Sequence, residues 1–183
     1  MNLPKETIYF DTETLSLNPY SFEAKLIATQ IGTCTNGYFE SEICCEWNNI
    51  TGEIGLIEGI NKRFNMLPRF TPVFTYNGLF DIFYILGRCH ALKLDNIYSD
   101  LLQRFMDGFK HCDMMQFDNG YYVSMDNVCK AYNIEADSPY SGKDIKDLYD
   151  RGDYKNIIAH GKDDIKRLYR LVNETDLAGR YYK

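Results

Sequence analysis

Alternation of apolar and polar positions is clearest near the start of the chain. Residues 7–14, Thr7-Ile8-Tyr9-Phe10-Asp11-Thr12-Glu13-Thr14, run four β-prone side chains into two acids separated by one residue. Residues two apart on a strand share a face, so this spacing presents the Asp11 and Glu13 carboxylates together. Residues 15–24 contain Ser16 and Asn18-Pro19 and read as a loop. A second strand is predicted over 25–33 and a third over 38–47. Asn36-Gly37 between them is a strong short hairpin signal. Three antiparallel N-terminal strands are therefore expected.

Further along, Ile54, Ile57, Ile60 and Phe64 recur at helical spacing, and Pro68 and Pro72 close that segment. Residues 73–76 read as a short strand ended by Asn77-Gly78. A helical pattern then runs from Leu79 to about His90. This strand–turn–helix unit carries Asn77 at the turn and Asp81 in the helix's first turn, where the helix dipole favours a carboxylate whatever its role. Helices are also expected over 97–109, 123–132, 144–149 and 154–172, with a short strand or helix start at 111–115. On the last helix His160 and Asp164 lie four apart and share a face with Ile157, Leu168, Leu171 and Val172. That places both inward, whereas Asp163 points about 100° away, toward solvent.

The candidate chemistry begins with the two acids of the first strand. Like charges so close repel unless a cation lies between them, and a divalent metal with oxygen ligands is one explanation. A strand end running into a solvated acidic turn is the other. An inward Asp164 without a partner would be costly, which marks it as a second candidate position.

Composition narrows the field. The chain has 183 residues, 45% hydrophobic and 25% charged, which fits one soluble domain over 1–183. Aromatics reach 15%; some could stack bases, though most should fill an α/β core. A net charge of −6 and a pI near 5.1 argue against a general duplex binder. They leave room for an enzyme that grips a few nucleotides through metals. The six cysteines show no zinc-type spacing, so thiols in an intracellular, cytoplasmic setting are expected. Neither a signal peptide nor a membrane span is evident.

Three stretches together resemble the DEDD-type 3′–5′ exonucleases of the RNase H-like fold. Phe10-Asp11-Thr12-Glu13-Thr14 resembles the first motif of that family. Tyr76-Asn77-Gly78-Leu79-Phe80-Asp81 resembles the second, and His160-Gly161-Lys162-Asp163-Asp164-Ile165 the third. The approach to the third motif, from Ser141-Gly142-Lys143 to Ile157, is similar to exonucleases related to the proofreading domain of family B DNA polymerases.

The resemblance implies an α/β fold with a mixed central sheet, the three antiparallel N-terminal strands plus parallel ones, flanked by helices. It implies two Mg²⁺ or Mn²⁺ ions on Asp11, Glu13, Asp81 and Asp164, with His160 as general base. Thr12, Leu15, Asn77 and Phe80 are implied at the substrate. Hard cations prefer carboxylate oxygens, which agrees with an acidic cluster free of cysteine. Family members with His in the third motif usually place it five positions before the last Asp, and those with Tyr four. This chain joins His to the four-residue step; five would fall on Ile165, so Asp164 is the expected ligand.

The activity implied is removal of nucleotides from the 3′ end of single-stranded DNA, or of RNA, releasing nucleoside 5′-monophosphates. A polymerase or other replication or repair protein would act in trans. A catalytically silent binding module and an RNase H-like endonuclease are the alternatives. Lys143, Lys146, Lys155, Lys162 and Arg167 form a loose basic strip near the third motif. It either touches phosphates or, interspersed with Asp144, Asp147 and Asp150, is a solvated helix face.

Overall fold

The computed structural model describes residues 6–118, 121–175 and 177. Its main sheet has five strands: β1 (Glu6–Thr14), β2 (Leu26–Thr35), β3 (Tyr38–Cys45), β4 (Thr71–Thr75) and β5 (Phe109–Asp113). They lie in the order β3-β2-β1-β4-β5. β1 and β2, and β2 and β3, pair antiparallel, whereas β1 with β4 and β4 with β5 pair parallel. The expected mixed sheet is present, with the acid-bearing strand at its centre. Asn36 and Gly37 turn between β2 and β3 with φ of +52° and +85°, as a two-residue hairpin turn of this hand demands.

Side-chain alternation on β1 divides the core. Ile8 and Phe10 pack with α1 (Glu53–Met66), α2 (Gly78–Ala91) and Leu101 of α3 (Asp95–Gln103). Tyr9 faces the other way, onto Val128 and Cys129 of α4 (Met125–Ala131) and Ile165, Leu168, Leu171 and Val172 of α6 (Tyr154–Glu174). A smaller cluster joins Ile27 to Ile145 and Leu148 of α5 (Ile145–Asp150) and Ile157 of α6. Period-two alternation on a central strand thus needs helices on both faces, and the chain supplies them.

Two expectations are corrected here. The helix predicted over 97–109 stops at Gln103, passes through one π turn (Arg104–Gly108), and Phe109 opens β5. The spacing of Phe105 and Phe109 mimics a helix, but both rings pack edge-on against Phe64 of α1. Arg104 pins the turn by donating to the Phe64 and Leu67 carbonyls at the end of that helix. A small hairpin, β6 (Gln116–Asp118) with β7 (Tyr121–Val123), was not anticipated; it precedes α4, whose N-terminus Ser124 caps. All six cysteines are free, and no described helix is long and apolar enough to cross a membrane.

Candidate active site

β1 runs toward one end of the sheet and delivers Asp11 and Glu13 there on the α6 face, as their spacing predicts. β4 ends one residue pair away, and the chain must turn sharply into α2 to bring Asp81 to the same end. Two local features make the turn possible. Asn77 adopts a left-handed conformation, φ +63°, and its N–H donates to Asp113 Oδ1 at 2.8 Å. A Cβ on Gly78 would lie 2.1 Å from Thr75 Oγ1, so only glycine lets the helix start so close to the strand. Asp81, in the first turn of α2, is then buried and accepts a 2.5 Å hydrogen bond from Thr12 Oγ1. Thr12 points to the opposite face of β1 from Asp11 and Glu13, so the site wraps around the strand's end.

The third-motif helix closes the arrangement from the other side. A Cβ on Gly161 would meet Gln30 Nε2 at 2.1 Å, so glycine lets α6 lie directly on β2. Gln30 pairs with Asp11 in the β1–β2 register and reaches diagonally to donate to Glu13 Oε1 at 3.1 Å. The residue just before Gly161, His160, is buried with Nε2 3.3 Å from Asp164 Oδ2 and 3.7 Å from Glu13 Oε1. Potential ligand atoms of Glu13, His160 and Asp164 all lie within 4.8 Å of one another. Asp11 and Asp164 line a cavity of about 150 Å³ together with Tyr76, Met125 and Leu168.

The electrostatics match the crowding. Burial, followed by the charges of Asp81, Glu13 and Asp164, pushes the Asp11 carboxyl well above its ordinary range. Glu13 is raised by burial and then by Asp164 and Asp81. Asp81 is pushed up to about 7, chiefly by burial, against the lowering influence of the Thr12 hydroxyl. Burial also raises Asp164, while His160 and Arg167 pull it back. Carboxylates packed this densely are poorly neutralised by the protein itself. Such oxygen-rich, cysteine-free surroundings suit hard divalent cations.

The structure brings Asp11, Glu13, Asp81, His160 and Asp164 together. The four residues expected at the substrate are less uniform. Thr12 is buried with its hydroxyl committed to Asp81, and Asn77 is exposed beside Asp81. Leu15 packs partly buried against the Ile27 cluster, and Phe80 against the α1–α2 core beside Tyr84.

No family model and no curated protein matches the sequence. Solved structures do match the fold. The family B DNA polymerase of the hyperthermophilic archaeon Pyrobaculum calidifontis superposes with a TM-score of 0.64 at 13% identity, over 94% of this chain and 24% of the polymerase. E. coli exonuclease I in complex with a dT13 oligonucleotide superposes with a TM-score of 0.56 at 12% identity, over 98% of this chain and 43% of exonuclease I. Exonuclease I from Methylocaldum szegediense gives 0.51 at 13% identity, over 97% and 43%. The fold is the RNase H-like exonuclease fold. This chain spans about a quarter of the polymerase's length and less than half that of the exonucleases.

Within this exonuclease fold, two sequence expectations change. Asp163 does point away from Asp164, but that face is not solvent. Asp163 is buried, and the Asp137 and Ser138 N–H groups donate to its carboxylate at 3.0 and 3.4 Å. Arg167 belongs to neither a phosphate strip nor a solvated face: it is buried among Asp126, Asp163 and Asp164. Lys143, Lys146, Lys155 and Lys162 are exposed. Gln30, Asp113, Tyr76 and Met125 also belong to the surroundings of the site. Tyr76 lies within the second motif but was given no role, and no motif marked the other three, because their places depend on strand register and on how α4 packs.

Proposed function

We propose that residues 1–183 form a single domain that is a metal-dependent 3′–5′ exonuclease for single-stranded nucleic acid, DNA in preference to RNA, releasing nucleoside 5′-monophosphates. The convergence of Asp11, Glu13, Asp81 and Asp164 at one end of the sheet carries this reading. Those four carboxylates would hold two Mg²⁺ or Mn²⁺ ions. Such a pair, when bound, supplies an activated water and stabilises the leaving oxygen of the phosphodiester.

The protein's own part is positioning. Thr12 fixes Asp81, Gln30 fixes Glu13, and α6 brings Asp164 close to Glu13 and Asp11. The His160 imidazole beside the Glu13 and Asp164 carboxylates is placed to take the water's proton at Nε2. Exposed Asn77, at the turn into α2, is available to the 3′-terminal nucleotide, and partly buried Leu15 and Phe80 are the apolar residues proposed to meet its base. Single-stranded DNA is the first substrate to try, since an exonuclease I of this fold is known with dT13. A polymerase or repair protein would deliver longer DNA in trans.

The test is a 5′-labelled single-stranded DNA or RNA oligonucleotide with Mg²⁺, Mn²⁺ or EDTA, beside Asp164→Ala. A metal-dependent ladder receding from the 3′ end, absent in the variant, is expected. Internal cuts would favour an endonuclease. Intact strands under every condition would leave a binding module.

A further inference from the structure

Beyond the acids, the most constrained group near the site is Arg167. It lies one turn past Asp164 on α6 and its side chain is only 5% exposed. Nη2 donates to Asp164 Oδ1, Nη1 donates to Asp126 Oδ1 in the first turn of α4, and Nε lies 3.2 Å from Asp163 Oδ2. A buried guanidinium needs its charge matched: Nη1 and Nη2 are hydrogen-bonded to acids on two helices, while Nε, close to Asp163, pairs by charge without a hydrogen bond. Asp163 is in turn anchored by the Asp137 and Ser138 N–H groups, so Arg167 is braced from behind.

The consequence falls on Asp164. One of its oxygens accepts from Arg167, which fixes the plane of the carboxylate, and the other lies 3.3 Å from His160 Nε2 on the side of the site. Each carboxylate oxygen retains a further lone pair for another partner. The same guanidinium ties Asp164 to α4, whose Met125 lines the cavity that Asp11 and Asp164 share.

We propose that Arg167 is a positioning residue of the metal centre. It sets the orientation of the Asp164 carboxylate and registers α4 against the third-motif helix through Asp126. This rests on the metal-dependent reading of the site. Hydrogen-bonded partners of ligating carboxylates tune metal affinity much as the ligands do. A guanidinium that served only as packing between α4 and α6 would affect stability and leave metal affinity alone.

Mn²⁺ binding to the full chain, followed by calorimetry and by the spin-resonance signal of free Mn²⁺, tests this in wild type, Arg167→Met, Arg167→Lys and Asp126→Asn, with thermal melts alongside. Arg167→Met should weaken Mn²⁺ binding about 10–100-fold. Arg167→Lys should recover part of the loss, because it keeps the charge but lacks the planar fork that reaches Asp164 and Asp126 together. Asp126→Asn should weaken binding by a few-fold with its melt little changed. The metal concentration for half-maximal hydrolysis should move in parallel, while the rate at saturating metal returns toward wild type. Unaltered Mn²⁺ affinity in Arg167→Met, with only a lower melting temperature, would overturn the proposal. So would tighter binding, which would mean that the guanidinium competes with the metal. Should Arg167→Met not fold, unchanged affinity in Asp126→Asn overturns it. Wild type that binds no Mn²⁺ overturns both this proposal and the metal-dependent reading, whereas equal binding by wild type and variants overturns this one alone.

Discussion

Thr12 and Asp81 are joined across the end of the sheet: the threonine hydroxyl, on the face of β1 opposite Asp11 and Glu13, donates to Asp81 Oδ1 at 2.5 Å. This bond favours the charged form of a carboxyl that burial pushes up to about 7. Thr12→Val should therefore raise that carboxyl further and move the acid limb of the pH–rate profile to higher pH. The metal requirement should rise by about tenfold. Thr12→Ser should behave nearly as wild type. A profile of metal-dependent hydrolysis between pH 5 and 9 reads both.

Neutralising any of the four acids should separate activity from stability. Asp11→Asn, Glu13→Gln, Asp81→Asn or Asp164→Asn should each lower hydrolysis by at least about a hundredfold. In metal-free protein above neutral pH, Asp11→Asn should at the same time raise the melting temperature, because it removes a half-buried charge facing three others. Paired activity assays and thermal melts in EDTA check this.

The same crowding sets a pH dependence of folding. Asp11, Glu13 and Asp81 titrate higher in the folded chain than unfolded, so the folded state holds more protons between the two values. Stability is then fully present below the unfolded values near 4 and falls as pH rises through the folded ones, about 7 for Asp81. In EDTA the melting temperature should drop by roughly 5–10 °C between pH 5 and 8. Mn²⁺ should restore it at pH 8 and do less at pH 5, where Asp81 holds its proton. Melts at matched ionic strength test it.

A methyl group at Gly161 would strike the Gln30 amide. Gly161→Ala should cost about 1–3 kcal/mol through forced repacking between α6 and β2. It should also free Glu13 from its hydrogen bond and lower activity beyond what the lost stability explains. Gly161→Ala combined with Gln30→Ala should regain stability without regaining activity. Denaturant titration and hydrolysis rates separate the two effects.

What the sequence disclosed and what it withheld divide along physical lines. Asp11 and Glu13 were legible because a strand's period of two is fixed by backbone geometry. His160 and Asp164 were legible because an apolar helical stripe told which way they face. The β2–β3 hairpin was legible from Asn36-Gly37, where two successive left-handed residues are needed. Gln30 was not, because the β1–β2 pairing is closed by a long loop, and no turn residue sets its register. The helix expected over 97–109 failed for a different reason: tertiary packing of Phe105 and Phe109 on Phe64 satisfied the same spacing without a helix. Asp163 and Arg167 were misread because helix geometry gives a direction, and only the fold says what covers it.

The acids enter the site from β1, α2 and α6, that is, from near the beginning, the middle and the last long helix of the described chain. Contacts so distant in sequence form late, after the loop entropy between them has been overcome. During synthesis the chain carries Asp11 and Glu13 long before it carries Asp164. A ribosome-bound or proteolytically shortened chain lacking α6 would have Asp11, Glu13 and Asp81 but neither Asp164 nor His160, and so no complete centre. The proposed nuclease activity should accordingly switch on with the docking of α6 and serve as a direct reporter that folding has finished.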